Sequence, residues 1–155
     1  MASVGRAVNA PLGFRHDVAE WVLAMPVAAA LGFSFVEVGN GYSETRLRWR
    51  PEHSHAPGVF QAGPIGSLAD FTGASAGITA LPVGSLAATV DFTVKLLAEA
   101  RGDELVGRGR VLRPGTTLTV IAVDIHALKD GSERLCASAF VTIRAIALSA
   151  RPEAG

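Results

Sequence analysis

Apolar and polar positions follow two rhythms along the chain, one of period near 3.6 and one of period 2, and together they predict an α+β order. In residues 17–31, Val18, Val22, Met25 and Ala29 recur at helical spacing, with Asp17 placed as the N-cap and Gly32 just past the end. Pro26 lacks an N–H and is expected to bend or split this helix. Residues 33–38 then read as a strand, Gly39-Asn40-Gly41 as a tight turn, and residues 42–50 as a returning strand in which Thr45, Leu47 and Trp49 alternate. Two histidines, two prolines and two glycines within residues 51–63 suit an ordered surface loop. A second helix is predicted over 64–80, with Pro64 in its first turn, where the missing donor costs nothing, and Leu81-Pro82-Val83-Gly84 ending it. Strands are predicted at 89–97, 104–112, 117–126 and 134–146. Their connecting turns, at 100–103, 113–115 and 129–132, are short enough to imply an antiparallel meander.

Placed at 100° steps, the second helix puts Ile65, Leu68, Phe71, Ser75 and Ile78 on one face and Gly66, Asp70, Gly73, Ala74 and Gly77 on the other. Each glycine costs about 1 kcal/mol against alanine in an isolated helix, so tertiary packing has to hold this one, most simply a sheet wrapped around it. Gly107 and Gly109 share a strand face and would let that strand come close.

At 155 residues, 49% hydrophobic and 18% charged, the chain suits one domain with a continuous core. The expected division is a flexible arm over 1–13, a single domain over 14–148 and a flexible tail over 149–155. Fourteen basic side chains balance fourteen acidic ones, which leaves no net field for nucleic acid or an anionic membrane. The apolar run 21–36 follows Asp17 and Glu20, contains Pro26 and is too short to span a bilayer, so a buried helix is expected there rather than a signal or a membrane segment. Cys136 stands alone, so neither an intrachain disulfide nor a multi-thiolate zinc site is open to it, and a cytoplasmic location is expected.

Candidate chemistry is sparse. Asp70 is the one carboxylate between Glu52 and Asp91, set mid-helix among glycines and alanines. It reads either as a general base or nucleophile raised in pKa by desolvation, or as part of a solvated helix face. Gln61, Ala62 and Gly63 precede Pro64, so their backbone N–H groups fall at a helix N-terminus, where a developing oxyanion can be held. His53 and His55 lack a third ligand at a convincing spacing, so no metal is expected. Cys136 reads as a buried structural thiol. Arg101, Arg108, Arg110 and Arg113 read as solvated strand ends or as contacts for a phosphorylated ligand.

The stretch F-Q-A-G-P-I-G-S-L-A-D at 60–70, followed by T-V-D-F-T-V-K-L-L-A-E-A at 89–100, resembles hotdog-fold acyl-CoA thioesterases of the phenylacetate-pathway (PaaI-like) type, over roughly residues 31–146. The resemblance implies a sheet wrapped around the long helix, an added N-terminal helix, and two or four copies joined with sites at their interfaces. The family has a polar residue fifteen positions before the helix acid and a His-Gly-Gly triplet beginning nine before it. Here those places hold His55 and Gln61-Ala62-Gly63, so the histidine is absent and only Gly63 of the glycines is kept.

By that resemblance Asp70 is the base or nucleophile and the Ala62 N–H the oxyanion donor. Gln61, His55 and Thr89 position substrate or water, with Thr89 at the start of its strand and reaching the neighbouring subunit's site. Thr93 shares a strand face with Thr89, Asp91 and Lys95 by alternation, and with Gly63 joins the substrate contacts. Arg113, Gly115 and Thr116 match the turn that such proteins use near CoA. The implied reaction is hydrolysis of acyl-CoA or aryl-CoA without a cofactor, CoA being part of the substrate. Two alternatives stand beside it. A non-catalytic acyl-CoA-binding module is suggested by the altered triplet, while a hydratase on the same fold lacks its expected G-D-x-N-P-x-H signature.

Overall fold

The structure, a computed structural model, describes residues 13–146. The expected tail, and all of the expected arm but Gly13, lie outside the described residues. Pro26 splits the first predicted helix into α1 (His16–Leu23) and α2 (Pro26–Leu31), and Gly32 ends the pair in the left-handed conformation at φ 79°. The cap differs from expectation. Arg15 takes the cap position, its N–H bonded to the Val38 carbonyl at 2.7 Å, and the helix starts at His16, two residues before an Asp17 cap would start it. Asp17 falls in the first turn and pairs with the Arg15 guanidinium at 2.8 Å.

β1 (Ser34–Gly39) and β2 (Tyr42–Arg48) form the predicted hairpin. Asn40 and Gly41 both have positive φ, the signature of a tight turn that matches strand twist. Residues 51–63 depart from the expected loop. A 3-10 turn at Pro51–His53 leads into two short paired strands, β3 (Ser54–Ala56) and β4 (Val59–Phe60). The apolar pair Val59 and Phe60 is the cause: both are buried, and Phe60 N–H donates to the Ala100 carbonyl at 2.9 Å.

The long helix α3 runs Ala62–Thr79, two residues earlier than predicted, because Gln61 caps it. β5 (Leu86–Leu96), β6 (Glu104–Arg113), β7 (Leu118–Lys129) and β8 (Ser132–Ile146) follow. The six long strands form one antiparallel sheet in the order β1-β2-β6-β7-β8-β5, wrapped around α3. This is the hotdog arrangement, with β5 as one free edge. No described helix is long and apolar enough to cross a membrane.

Both faces of α3 are covered. On one, the Phe71 and Phe33 rings lie 5.1 Å apart and α1 packs alongside. On the other, Gly73 and Gly77 sit against Val123, Val141, Ile121 and Ile143, so a side chain at either position would collide with the sheet. The predicted close approach at Gly107 is met by a hydroxyl chain. Thr72 donates to the Leu68 carbonyl at 2.6 Å, so its oxygen accepts from Thr45, also at 2.6 Å, and Ser43 donates to the Thr72 carbonyl.

Candidate functional site

Asp70 projects from the third turn of α3 toward the β5 edge, along the small-residue strip that lets the sheet close on the helix. It is half-buried, and Thr89 Oγ1 donates to its Oδ1 at 2.7 Å. Burial pushes the carboxyl above its ordinary range, and the Thr89 hydroxyl, which favours the charged form, opposes that shift.

Thr89 is the fourth residue of β5, not the first, and it bonds Asp70 of its own chain. A β-bulge then breaks the alternation. Thr89 pairs with Ile143, but Asp91 pairs with Thr142, leaving Val90 unpaired between them. Ile143 is buried against the core, so Thr89 points inward. Asp91, Thr93 and Lys95 point to the outer face, where Thr93 pairs with Phe140. The expected shared face of Thr89 and Thr93 is therefore wrong, because the extra residue reverses every side chain beyond it.

The N-terminal turn of α3 forms a second centre. Gln61 is the N-cap, and its Oε1 accepts from Gly63 N–H. Pro64 has no N–H, and Ile65 N–H reaches the Gln61 carbonyl at 3.4 Å. Ala62, the first helical residue, has no acceptor within its own helix, so its N–H is the donor that the turn leaves open. Ala62, Gln61 and His55 line one groove of about 410 Å³ together with Ile65 and Leu96. His55 is exposed there, on β3. His53 instead turns inward, its ring bonded to the Arg48 carbonyl and to Arg50. Among the described residues no three His, Cys, Asp or Glu gather as a metal set.

The two centres are separated along one helix. Ala62 and Asp70 are eight residues apart, about 12 Å at the helical rise. Arg113, Gly115 and Thr116 lie beyond the opposite end of α3, where Gly115 and Thr116 line a hollow with Ala80, Leu81 and Pro82. A side chain at Gly115 would run into the Leu118 carbonyl, so its glycine has a local structural cause. Arg108 is committed to Glu133 and Glu44, and Arg101 to Glu99. Burial pushes the Cys136 thiol up to about 11, which keeps it unreactive.

Two features escaped prediction. The apolar lining of the groove comes from three distant segments that carry no motif. The bulge left one trace, a run Thr89-Val90-Asp91-Phe92 in which strict alternation would have buried Asp91 and exposed Phe92.

Residues 59–134 match the model of the Thioesterase superfamily, a stretch that includes Gln61, Ala62, Asp70 and Thr89. A thioesterase family protein from Silicibacter pomeroyi shares the fold with a TM-score of 0.79 and 28% identity, over 83% of this chain and 95% of its own. A thioesterase from Haemophilus influenzae superposes with a TM-score of 0.73 at 21% identity, over 83% and 87% of the two chains. A phenylacetic acid degradation-related protein from Ralstonia eutropha JMP134 does so at 0.68 and 23%, over 82% and 98%. The last two speak to fold alone. No curated protein matches the chain.

Proposed function

We propose that this chain, paired with a second copy, hydrolyses acyl-CoA or aryl-CoA thioesters in the manner of the PaaI-like proteins. The observation that carries the proposal is Asp70, a half-buried carboxylate, raised by burial and oriented by Thr89, within the segment that matches the Thioesterase superfamily. Raising a carboxyl brings it nearer the working pH of a base.

The separation along α3 supports the second copy. A carbonyl under attack needs its donor and its nucleophile each about 3 Å away, and about 12 Å of helix between Ala62 and Asp70 does not allow both from one chain. Asp70 of one copy therefore serves the Ala62 N–H of the other. β5 supplies the means. It is an edge strand of eleven residues whose Val90, Leu96 and Leu97 stand exposed in or just beyond it, an edge that invites pairing with its own copy.

In the assembled site Ala62 N–H holds the carbonyl oxygen. Asp70 removes a proton from the attacking water, or attacks the carbon itself to give an anhydride that water then cleaves. Collapse of the tetrahedral intermediate breaks the C–S bond, and the CoA thiolate takes up a proton. His55 and the Gln61 amide, whose N–H₂ is left free by its capping role, stand beside Ala62 to orient the thioester, and Gly63 closes the same turn. Arg113, Gly115 and Thr116 lie about 14 Å of helix past Asp70, a separation that an extended pantetheine arm spans. Thr93, on the outer face, is left out. CoA enters as substrate and no further cofactor is invoked.

Release of free CoA from a panel of short, medium, long and aryl acyl-CoAs tests the reading. Asp70→Asn should lower kcat by about 10²- to 10⁴-fold and keep acyl-CoA binding. Tight binding without turnover in the wild type would instead make the chain an acyl-CoA-binding module.

A further inference from the structure

The groove beside Ala62 has a chemical character that the hydrolase reading does not use. Its floor is Val59 and Phe60 of β4, Ile65 of α3 and Ala100 after β5, each at most 3% exposed. Leu96 and Ala98 add one wall. The segment carrying Ala98 is fixed, since both Leu97 and Ala98 N–H groups donate to the Cys136 carbonyl. Polar groups occur in two places. Gln61 and His55 stand with Ala62, and Glu99 stands on the rim with its carboxylate held by Arg101 Nε at 2.7 Å. No lysine or arginine lines it.

A thioester held at Ala62 sends two arms outward, the acyl chain and the pantetheine. Pantetheine carries amides and ends in phosphates. Amides laid on Val59, Phe60 and Ile65 would lose their hydrogen bonds to water without replacement. Phosphates would find no free cation in the lining, since the Arg101 guanidinium at the rim is already paired with Glu99. An apolar acyl chain meets none of these penalties and removes its own surface from water. We infer that this groove takes the acyl arm, that the substrates are thioesters of uncharged apolar acids, and that Ala98 sets the chain length accepted. The assignment rests on the acyl-CoA reading above.

Titration calorimetry on the full chain carrying Asp70→Asn, with free CoA, with saturated acyl-CoAs of increasing length and with an ω-carboxyl counterpart, tests it. Affinity should rise about three- to fourfold per methylene until the groove is full. Ala98→Phe should end that rise at a shorter chain and leave the Kd of free CoA unchanged. The ω-carboxyl ester should bind about tenfold more weakly than its methyl-ended counterpart, because the apolar floor offers its charge no partner. Weaker binding of free CoA to Ala98→Phe, with the chain-length profile intact, would mean that the groove holds pantetheine and would overturn the assignment. So would equal affinity for the carboxyl and methyl ends. The expected profile without turnover in the Asp70 form would overturn hydrolysis alone, whereas no affinity for any CoA species would remove both readings.

Discussion

Asp70 is a residue that the fold tolerates at a cost. Its folded pKa is raised, so the neutral form is the one the folded state prefers. The sign of the linkage follows: the fold is unburdened below the carboxyl's ordinary range and loses stability as pH rises through the raised value. Asp70→Asn should therefore raise Tm at neutral pH, and the gain should vanish in melts run below about pH 3.8, the ordinary value. A variant that is more stable and inactive is the expected mark of a site residue. Thr89 acts on the same carboxyl in the opposite direction. Its hydroxyl favours the ionised form, so Thr89→Val should raise the pKa further and move the acidic limb of the pH dependence of kcat/KM to higher pH. An unmoved limb would mean that Thr89 only fills space. Sequence could name both residues, Asp70 as a lone acid in a glycine-rich helix and Thr89 through the family resemblance. It could not show that they touch within one chain, because that depends on where β5 lies against α3.

At the scale of elements, α3 is held by its fit to the sheet more than by its own propensity. Gly73 and Gly77 share this fit but should answer differently to alanine. A side chain at Gly73 would meet Val141 Cγ2 at 2.7 Å and Cβ at 2.8 Å, stiff atoms close to the backbone. At Gly77 it would meet the Cδ1 ends of Ile143 and Ile121, which can swing aside. Overpacking should make Gly73→Ala destabilising by about 1–2 kcal/mol, while at Gly77 the gain in helix propensity of about 1 kcal/mol should offset most of the strain. Chemical denaturation of the two variants checks the contrast. The helices, the first hairpin and the last four strands were legible because each has one apolar face and clear turn residues. Residues 51–61 were not. β3 and β4 pair with each other and are anchored to residues 100–102, far along the chain, and no local pattern announces that anchor. Alternation failed at β5 for a related reason, since it assumes an unbroken strand.

On the proposed reading, the whole molecule places its two candidate centres where one chain cannot use both. That arrangement gives a direct test by mixing. Ala62→Pro removes the N–H, yet proline is accepted at the first helical position, and Gln61 already has the extended backbone, φ −80° and ψ 156°, that a following proline demands. Ala62→Pro and Asp70→Asn should each be folded and inactive. Co-refolded in equal amounts, they should recover about a quarter of the wild-type rate, because half the pairs are mixed and each mixed pair holds one intact site of two. No recovery would place the whole site in one chain. Three members of the expected site, His55, Gln61 and Ala62, do share a groove, and Asp70 with Thr89 forms the other half. The Arg113 turn lies elsewhere, past the far end of α3, and a family resemblance carries residue roles without carrying the distances between them. The unpaired residue in β5 has a consequence of another kind. Side chains turned toward the helix occupy odd positions up to Thr89 and even positions from Phe92 onward, so the strand changes parity once along its length. A chain shortened by one residue between Thr89 and Phe92 would keep every side chain on its present side. A deletion anywhere else in β5 would turn part of the strand inside out. Length variation in this edge, if lineages carry it, has one narrow gap through which it can pass without disturbing Asp70's partner.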